Sequence, residues 1–374
     1  MKIKREEFLS DLIATKAGLS PREFVEQSSC FVFENGEVMT FNDEVACIKP
    51  IKIHTDIKGA VQANTLLALL QKFDDDEFEL FQNDSGELEF RGKRKRFAVL
   101  MEPEIHLPIS KVERPEEWLP LDQRFAEAIN LVKHSVSTDD SKFTLTCIHI
   151  TDDYIEACNN LSLMRVKVEL DLGRDVLVRG TAIEEVAPLG MAEIALTKSW
   201  LHFRQADKKG SGGLRYACRH YNDEYPDLLP LMKFEGHRFV IPQSLGEAAT
   251  RSEVCASDNT GDPVVLVTLK DGKMSLFSEG LTAWSEELLA ATYNGKEELG
   301  FYIAPDTLRH IATNYKEAEL NQKKLKVSGS GWKYVTVLAN EDDRRQAQAE
   351  EAEARERKRG KGKDKDEGVP SDRD

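Results

Sequence analysis

Phe31-Val32-Phe33-Glu34-Asn35-Gly36-Glu37-Val38 reads as a β-hairpin: an apolar approach, a tight Asn-Gly turn and an apolar return. The same sentence recurs as Ile148-His149-Ile150-Thr151-Asp152-Asp153-Tyr154-Ile155 and as Leu266-Val267-Thr268-Leu269-Lys270-Asp271-Gly272-Lys273-Met274. Turn residues Asn35, Asp152 and Asp271 lie 117 and 119 residues apart. Spacings of about 20 to 50 residues would mean a solenoid, whereas units of roughly 100 to 150 each bury a core of their own. The chain is therefore expected to carry three tandem copies of one small domain.

Working outward from the hairpins, each copy opens with an amphipathic helix. Phe8, Leu9, Leu12 and Ile13 share one helical face, as do Phe125, Ile129, Val132 and Val136, and then Leu245, Ala248 and Ala249. A second helix follows each hairpin region, marked by Leu66, Leu69, Leu70 and Phe73, by Ile183, Val186 and Ala187, and by Leu308, Ile311, Ala312 and Tyr315. Thr181 with Glu184 reads as a capping box, and Pro305 suits a first helical position. Short alternating segments such as Phe78-Glu79-Leu80-Phe81 and Leu88-Glu89-Phe90, joined by Asn83-Asp84-Ser85-Gly86, read as further hairpins. The fold class this predicts is α+β, with sheets covered on one face by helices.

The 374 residues suit two to three domains, and 40% hydrophobic content is enough to give each a core. No run of about 18 apolar residues exists, and Met1-Lys2-Ile3-Lys4-Arg5-Glu6-Glu7 lacks the apolar stretch of a signal peptide, so a cytoplasmic protein is expected. Cys30, Cys47, Cys147, Cys158, Cys218 and Cys255 show no C-x-x-C spacing and read as buried thiols, with no metal site. Cys30 and Cys147 each stand five residues before their turn, a repeated core position. The net charge of −15 opposes indiscriminate adhesion to nucleic acid, which depends on Lys and Arg displacing counterions from phosphates. Such a protein needs another way of holding DNA.

Gly210-Ser211-Gly212-Gly213 and Ser328-Gly329-Ser330-Gly331 lack the Gly-Lys-Ser/Thr ending of a phosphate loop and read as hairpin turns. The histidines are scattered, with no His-Glu-x-x-His, and no serine sits in a Gly-x-Ser-x-Gly elbow, so neither an enzyme nor a cofactor is expected. From Glu341 onward the chain carries 12 acidic and 10 basic residues and no large apolar residue but Val369. That composition predicts a solvated extension, transiently helical over 346–357.

Three tandem units of this length and element order resemble the bacterial DNA polymerase III beta subunit, the beta sliding clamp. Arg91-Gly92-Lys93-Arg94-Lys95-Arg96-Phe97-Ala98-Val99 is similar to the family's Gly-x-x-x-Arg-Phe strand closing the first domain. Tyr225-Pro226-Asp227-Leu228-Leu229-Pro230 is similar to its Phe-Pro-Asp-Tyr segment, and Lys333-Tyr334-Val335-Thr336-Val337-Leu338 to its final strand. The resemblance covers about residues 1–339 and implies clamp domains at 1–115, 116–235 and 236–340, followed by the disordered charged tail 341–374. It also implies a head-to-tail homodimer, a ring of six domains with sheets outside and helices lining a hole that encircles duplex DNA. A clamp loader would open the ring, and the replicative DNA polymerase would be tethered to it through linear peptides. Retention by topology answers the charge problem.

Site residues follow from the same resemblance. The dimer interface would pair Arg94, Arg96, Phe97 and Val99 of the first domain with Val254, Cys255, Glu286, Glu287 and Leu288 of the third. Such a ring needs complementary, non-identical ends, and strand-to-strand closure satisfies open sheet edges. The basic run from Arg91 to Arg96 also reads as a localisation signal or nucleic-acid patch, and its place in an alternating strand favours the interface. A partner-peptide pocket would take Leu145, Cys158, Asn160, Leu161 and Leu163, then Pro226, Pro230 and Leu231, then Val335, Val337 and Leu338. Each Leu or Val alone reads as ordinary core, whereas a set converging on one domain junction favours an apolar groove. The family's Thr-Asp-Gly-His-Arg is here Cys158-Asn159-Asn160-Leu161-Ser162, and its Met-Pro-Met ending is Val337-Leu338-Ala339, a departure from the family pattern at positions that bear on peptide specificity. DNA-facing candidates are Arg22, Arg124, Lys133, Arg251, Arg309 and Lys316, contacting phosphates without reading bases. Glu6, Glu7, Asp11, Glu127 and Glu247 share those helices, which equally fits scattered surface charge. The rival expectation is a clamp-like interaction module that binds replisome peptides without encircling DNA.

Overall fold

The structure, a computed structural model, describes residues 2–207, 212–256 and 263–340. One order of ten elements, strand-helix-four strands-helix-three strands, runs through it three times. The first pass is β1 (Lys2–Lys4), α1 (Arg5–Ala14), β2 (Cys30–Glu34), β3 (Glu37–Phe41), β4 (Val45–Pro50), β5 (Gly59–Gln62), α2 (Ala63–Lys72), β6 (Glu77–Gln82), β7 (Glu87–Arg91) and β8 (Arg96–Glu102). The second is β9 (Leu119–Pro120), α3 (Phe125–Val132), β10 (Cys147–Ile150), β11 (Tyr154–Cys158), β12 (Ser162–Lys167), β13 (Val176–Arg179), α4 (Gly180–Ile183), β14 (Glu193–Leu196), β15 (Trp200–Arg204) and β16 (Arg215–Tyr221). After the short α5 (Leu229–Met232), the third is β17 (His237–Val240), α6 (Leu245–Ala256), β18 (Val265–Lys270), β19 (Lys273–Glu279), β20 (Trp284–Ala290), the added β21 (Thr292–Tyr293), β22 (Leu299–Ile303), α7 (Pro305–Asn314), β23 (Glu317–Leu320), β24 (Lys324–Gly329) and β25 (Trp332–Val337).

Pairing repeats as faithfully as order. The opening strand joins the strand after the second helix in every copy, with Ile3↔Phe78, Ile194↔Leu119 and Phe239↔Ala318 as partners. The hairpin's first strand joins the fourth, in β2–β5, β10–β13 and β18–β22. The fourth strand then meets the last, at Ala60↔Glu102 and Leu177↔Tyr221 and, in the third copy, at the single bridge Tyr302↔Ala339. The α+β reading and the tandem repetition of the sequence are thus present in the backbone.

The diagnostic hairpins form where expected, by two turn chemistries. Asn35 and Gly36 have φ of 53° and 75°, and Asp271 and Gly272 have 49° and 75°. Two successive left-handed residues give the type I′ twist that matches the strands. The middle hairpin has a wider loop between Ile150 and Ile155, closed by the Thr151 hydroxyl, which accepts the N–H groups of Asp153 (3.2 Å) and Tyr154 (3.0 Å).

Some local expectations are corrected. On α1 only Phe8 and Leu12 are buried, while Leu9 is half-buried and Ile13 is 50% exposed, because the aromatic core meets a narrow i, i+4 stripe. Phe8 lies 5.7 Å from Phe78 and 6.1 Å from Phe90, ring centre to ring centre. Thr181 does not cap its helix. α4 starts one residue earlier, at Gly180, with Arg179 in the capping position, and continues as a 3-10 turn through Pro188. Pro305 does occupy the first position of α7. Ser330-Gly331 forms the β24–β25 turn, with Gly331 at φ 78°. Gly210-Ser211 and the tail 341–374 lie outside the described residues.

The chain divides into two compact units, Met1–Pro226 and a second beginning at Asp227. Repeats one and two share the first unit because the connection near the expected 115/116 boundary is itself packed. Leu107, with Ile105, Ile109 and Val112, joins a core of Val32, Met39, Phe41 and Trp200. The buried Gln27 side chain accepts the N–H groups of His106 (2.8 Å) and Leu107 (3.2 Å) and donates to the Glu104 carbonyl (2.8 Å). Further along, the Glu113 carboxylate accepts from the hydroxyls of Thr197 and Ser199, each at 3.0 Å.

Candidate functional site

Within the first unit, repeats one and two are joined by one strand pair. β4 runs antiparallel to β16 through Ile48↔Arg215, Cys47↔Tyr216, Ala46↔Ala217 and Val45↔Cys218. Its flanks are charged: Arg215 meets Glu37 at 2.5 Å and Arg219 meets Asp43 at 2.8 Å. In repeat order, the counterpart of β4 in the third copy is β20, and the counterpart of β16 in the first copy is β8. Among the described residues, β8 from Arg96 to Leu100 pairs only with β7, and β20 pairs only with β19. The first unit thus leaves the β8 edge open and the second unit leaves the β20 edge open.

Along β8, Arg96 and Ala98 are exposed, and Leu100 is 75% exposed. Phe97 is half-buried, stacked on Phe90 at 4.4 Å and set edge-on to Phe73 at 5.5 Å. Val99 is turned into its own core at 6% exposure, so its side chain belongs to the first repeat's interior. Arg94 is exposed in the preceding turn. In the second unit, Leu288 (63% exposed) stands on β20 and Val254 (75%) on α6. Cys255 is half-buried, and Glu286 is exposed and accepts from the Ser275 hydroxyl at 3.2 Å. Glu287 is engaged within its own chain, taking Arg251 Nε at 3.0 Å and Nη2 at 2.6 Å, and this guanidinium holds its carboxyl below the usual range. Leu100 and Trp284 (66% exposed) were missed from sequence. Alternation says which residues share a face, and it does not say which face stays uncovered.

The six candidate phosphate contacts are unequal. Arg22 is exposed in the loop before β2, Lys316 is exposed after α7, and Lys133 is half-buried at the end of α3, all without an ion pair among the described residues. Arg124 stands 3.7 Å from Glu127. Arg251 is shared by Glu287 (2.6 Å) and Glu247 (3.7 Å), and Arg309 by Glu253 and Asp306. The helical cations of the third repeat are therefore already offset by carboxylates.

The peptide-pocket candidates fall on both units. In the first, Cys158 and Leu163 are buried at the β11–β12 turn, Leu145 is half-buried, and Pro226 is exposed. Asn160 is exposed and accepts from Lys142 at 3.1 Å, and Leu161 is 57% exposed at the tip of the turn. In the second, Val335 and Leu338 are buried, whereas Pro230, Leu231 and Val337 are exposed. Leu161, Leu231 and Val337 are the large apolar members of this set left open to solvent.

Among the described residues no group of three or more His, Cys, Asp or Glu side chains is placed to hold a metal, and no helix is long and apolar enough to cross a membrane. Burial pushes the thiols of Cys30 and Cys147 up to about 11 and that of Cys47 to about 12.

No family model matches the sequence, and no curated protein matches it. Solved structures do. A DNA polymerase sliding clamp from Pseudomonas aeruginosa aligns over 91% of this chain and 99% of its own, with TM-score 0.76 at 15% identity. DNA polymerase III beta subunit from Thermotoga maritima aligns over 91% and 98%, with TM-score 0.76 at 14% identity. The sliding clamp (DNA polymerase III subunit beta) of Bartonella birtlesii bound to griselimycin gives TM-score 0.77 at 17% identity, over 91% and 99%. The fold is that of the bacterial DNA polymerase III beta sliding clamps.

Proposed function

We propose that this protein is a DNA sliding clamp: two copies join head to tail into a closed ring around duplex DNA and tether a replicative polymerase. The observation that carries the reading is the β4–β16 pair, whose repeat counterparts β20 and β8 are both left open. Two copies bring one open edge of each chain to the other's complement, so both junctions close and no edge remains to propagate a fibre. Repeat equivalence also gives the register, since Arg215 and Arg96 occupy the same rung of their β-hairpins, as do Ile48 and Leu288. Arg96 then faces Leu288 of the partner, Phe97 faces Glu287, and Ala98 faces Glu286. Leu100, Trp284, Leu288 and Val254 supply the apolar surface this junction covers.

Tethering raises the local concentration of a partner and asks no chemistry of the chain. Partner peptides, including that of the loader, would find Leu161 on the first unit and Leu231 and Val337 on the second. The work belongs to the cytoplasm of a bacterial cell or of one infected by a virus. The test is retention: protein loaded on nicked circular DNA should persist in high salt and be lost once the circle is linearised. Equal loss from both forms would contradict encirclement and favour a clamp-like module that binds peptides alone.

A further inference from the structure

We infer that Tyr225 is a positioning residue for peptide capture on the first unit, acting as a false rung of the sheet; this rests on the peptide-tethering reading above. β10 and β11 pair only at His149↔Glu156 and Ile150↔Ile155. Beyond that point they splay, β10 continuing with β13 at Cys147↔Arg179 and β11 with β12 at Cys158↔Leu163. The wedge leaves the Cys158 N–H without a strand partner, and the Tyr225 hydroxyl accepts it at 2.9 Å. That hydroxyl also lies 3.5 Å from Cys158 Sγ, and burial raises its pKa, so it stays a phenol.

The ring is seated as firmly as the hydroxyl. It stacks on His149, with centres 4.9 Å apart and planes at 30°. His149 belongs to the last cross-strand pair before the splay, its Nδ1 2.9 Å from the carboxylate of Glu156, which is 2% exposed. Glu156 is held from the other side by Arg165 Nε at 2.7 Å, and Arg165 lies over the Tyr154 ring at 4.0 Å. Asp175 approaches the outer His149 nitrogen at 3.5 Å.

Residues 222–226 have no regular secondary structure, and the Tyr225 hydroxyl ties this segment, which carries Pro226, to the sheet. It grips β11 at the residue before the turn Asn159-Asn160-Leu161. Asn159 stiffens that turn by accepting the N–H groups of Leu161 (2.8 Å) and Ser162 (2.7 Å). The hydroxyl of Tyr225 therefore sets where the exposed Leu161 stands.

The probe is fluorescently labelled griselimycin, with Tyr225→Phe, Leu161→Ala and the double variant measured on the full chain beside hydrogen exchange at the Cys158 amide. Tyr225→Phe should cost about tenfold in affinity and release the Cys158 amide, while in the Leu161→Ala background the same change should cost almost nothing, because coupled residues are non-additive. Fully additive losses, or unchanged affinity in Tyr225→Phe, would overturn the inference while leaving the peptide site standing. Wild-type protein that fails to bind griselimycin, or binding that Leu161→Ala leaves unchanged, would overturn the site reading and this inference with it.

Discussion

His202 sits on β15 at 5% exposure, 3.1 Å from the Thr197 hydroxyl that also donates to Glu113. Burial holds its pKa down to about 4 from an ordinary 6.5. The folded protein thus keeps this imidazole neutral while the unfolded chain binds a proton. Its contribution is whole above pH 6.5 and is lost as pH falls toward 4, by roughly 3 kcal/mol at most for a shift of this size. Urea midpoints measured from pH 7 to 4 should fall across that window, and His202→Gln should flatten the fall; parallel curves would remove His202 as the cause. Thiols give a second check. Five of the six cysteines are buried, and only Cys255 is half-exposed. Native protein should react with a thiol reagent at one site or none near pH 8, and at six after denaturation. The thiols were legible in sequence, as cysteines without a pairing pattern. Tyr225 was legible only as part of a motif, because its partner Cys158 is 67 residues away and nothing local announces the contact.

At the scale of the element, the hairpins carried most of the fold because each states its own register: Asn35-Gly36 and Asp271-Gly272 admit one twist. Helix ends were harder. Thr181 lost the capping position to Arg179 because the helix begins at Gly180, where Val136 crowds the place a Cβ would take. The open edges could not be read from pattern alone, since alternation in β8 and β20 is the same whether or not a neighbour covers them. Leu288→Ala should weaken self-association by about 2 kcal/mol at each junction, because it removes an apolar side chain that the proposed junction covers. Phe97→Glu with Arg96→Glu should also give monomers. A double variant that still sediments as a dimer would move the interface elsewhere. Trp200→Ala, which empties a site packed against Phe41 at 5.9 Å, should cost about 3 to 5 kcal/mol of stability with the junction residues untouched.

For the whole molecule, the acidic balance and the paired arginines argue in one direction. In the proposed ring, Arg251 and Arg309 are already shared by carboxylates, so few counterions would be released on meeting DNA. Its retention on closed circles should therefore depend weakly on salt, and a steep salt dependence would mean adhesion instead. On the proposed reading, the threefold repetition lets one chain supply both halves of a junction, with the strand pair that welds repeats one and two as the template for the pair between copies. The most direct measurement is a cross-link at the rung this template assigns, with cysteine at both Ala98 and Glu286 in a Cys255→Ser background, oxidised gently and resolved without reductant. A single covalent dimer with no higher species is the expected result, since two such bonds close one ring. Uncross-linked monomer, or a ladder of ever larger chains, would contradict the closed head-to-tail pair.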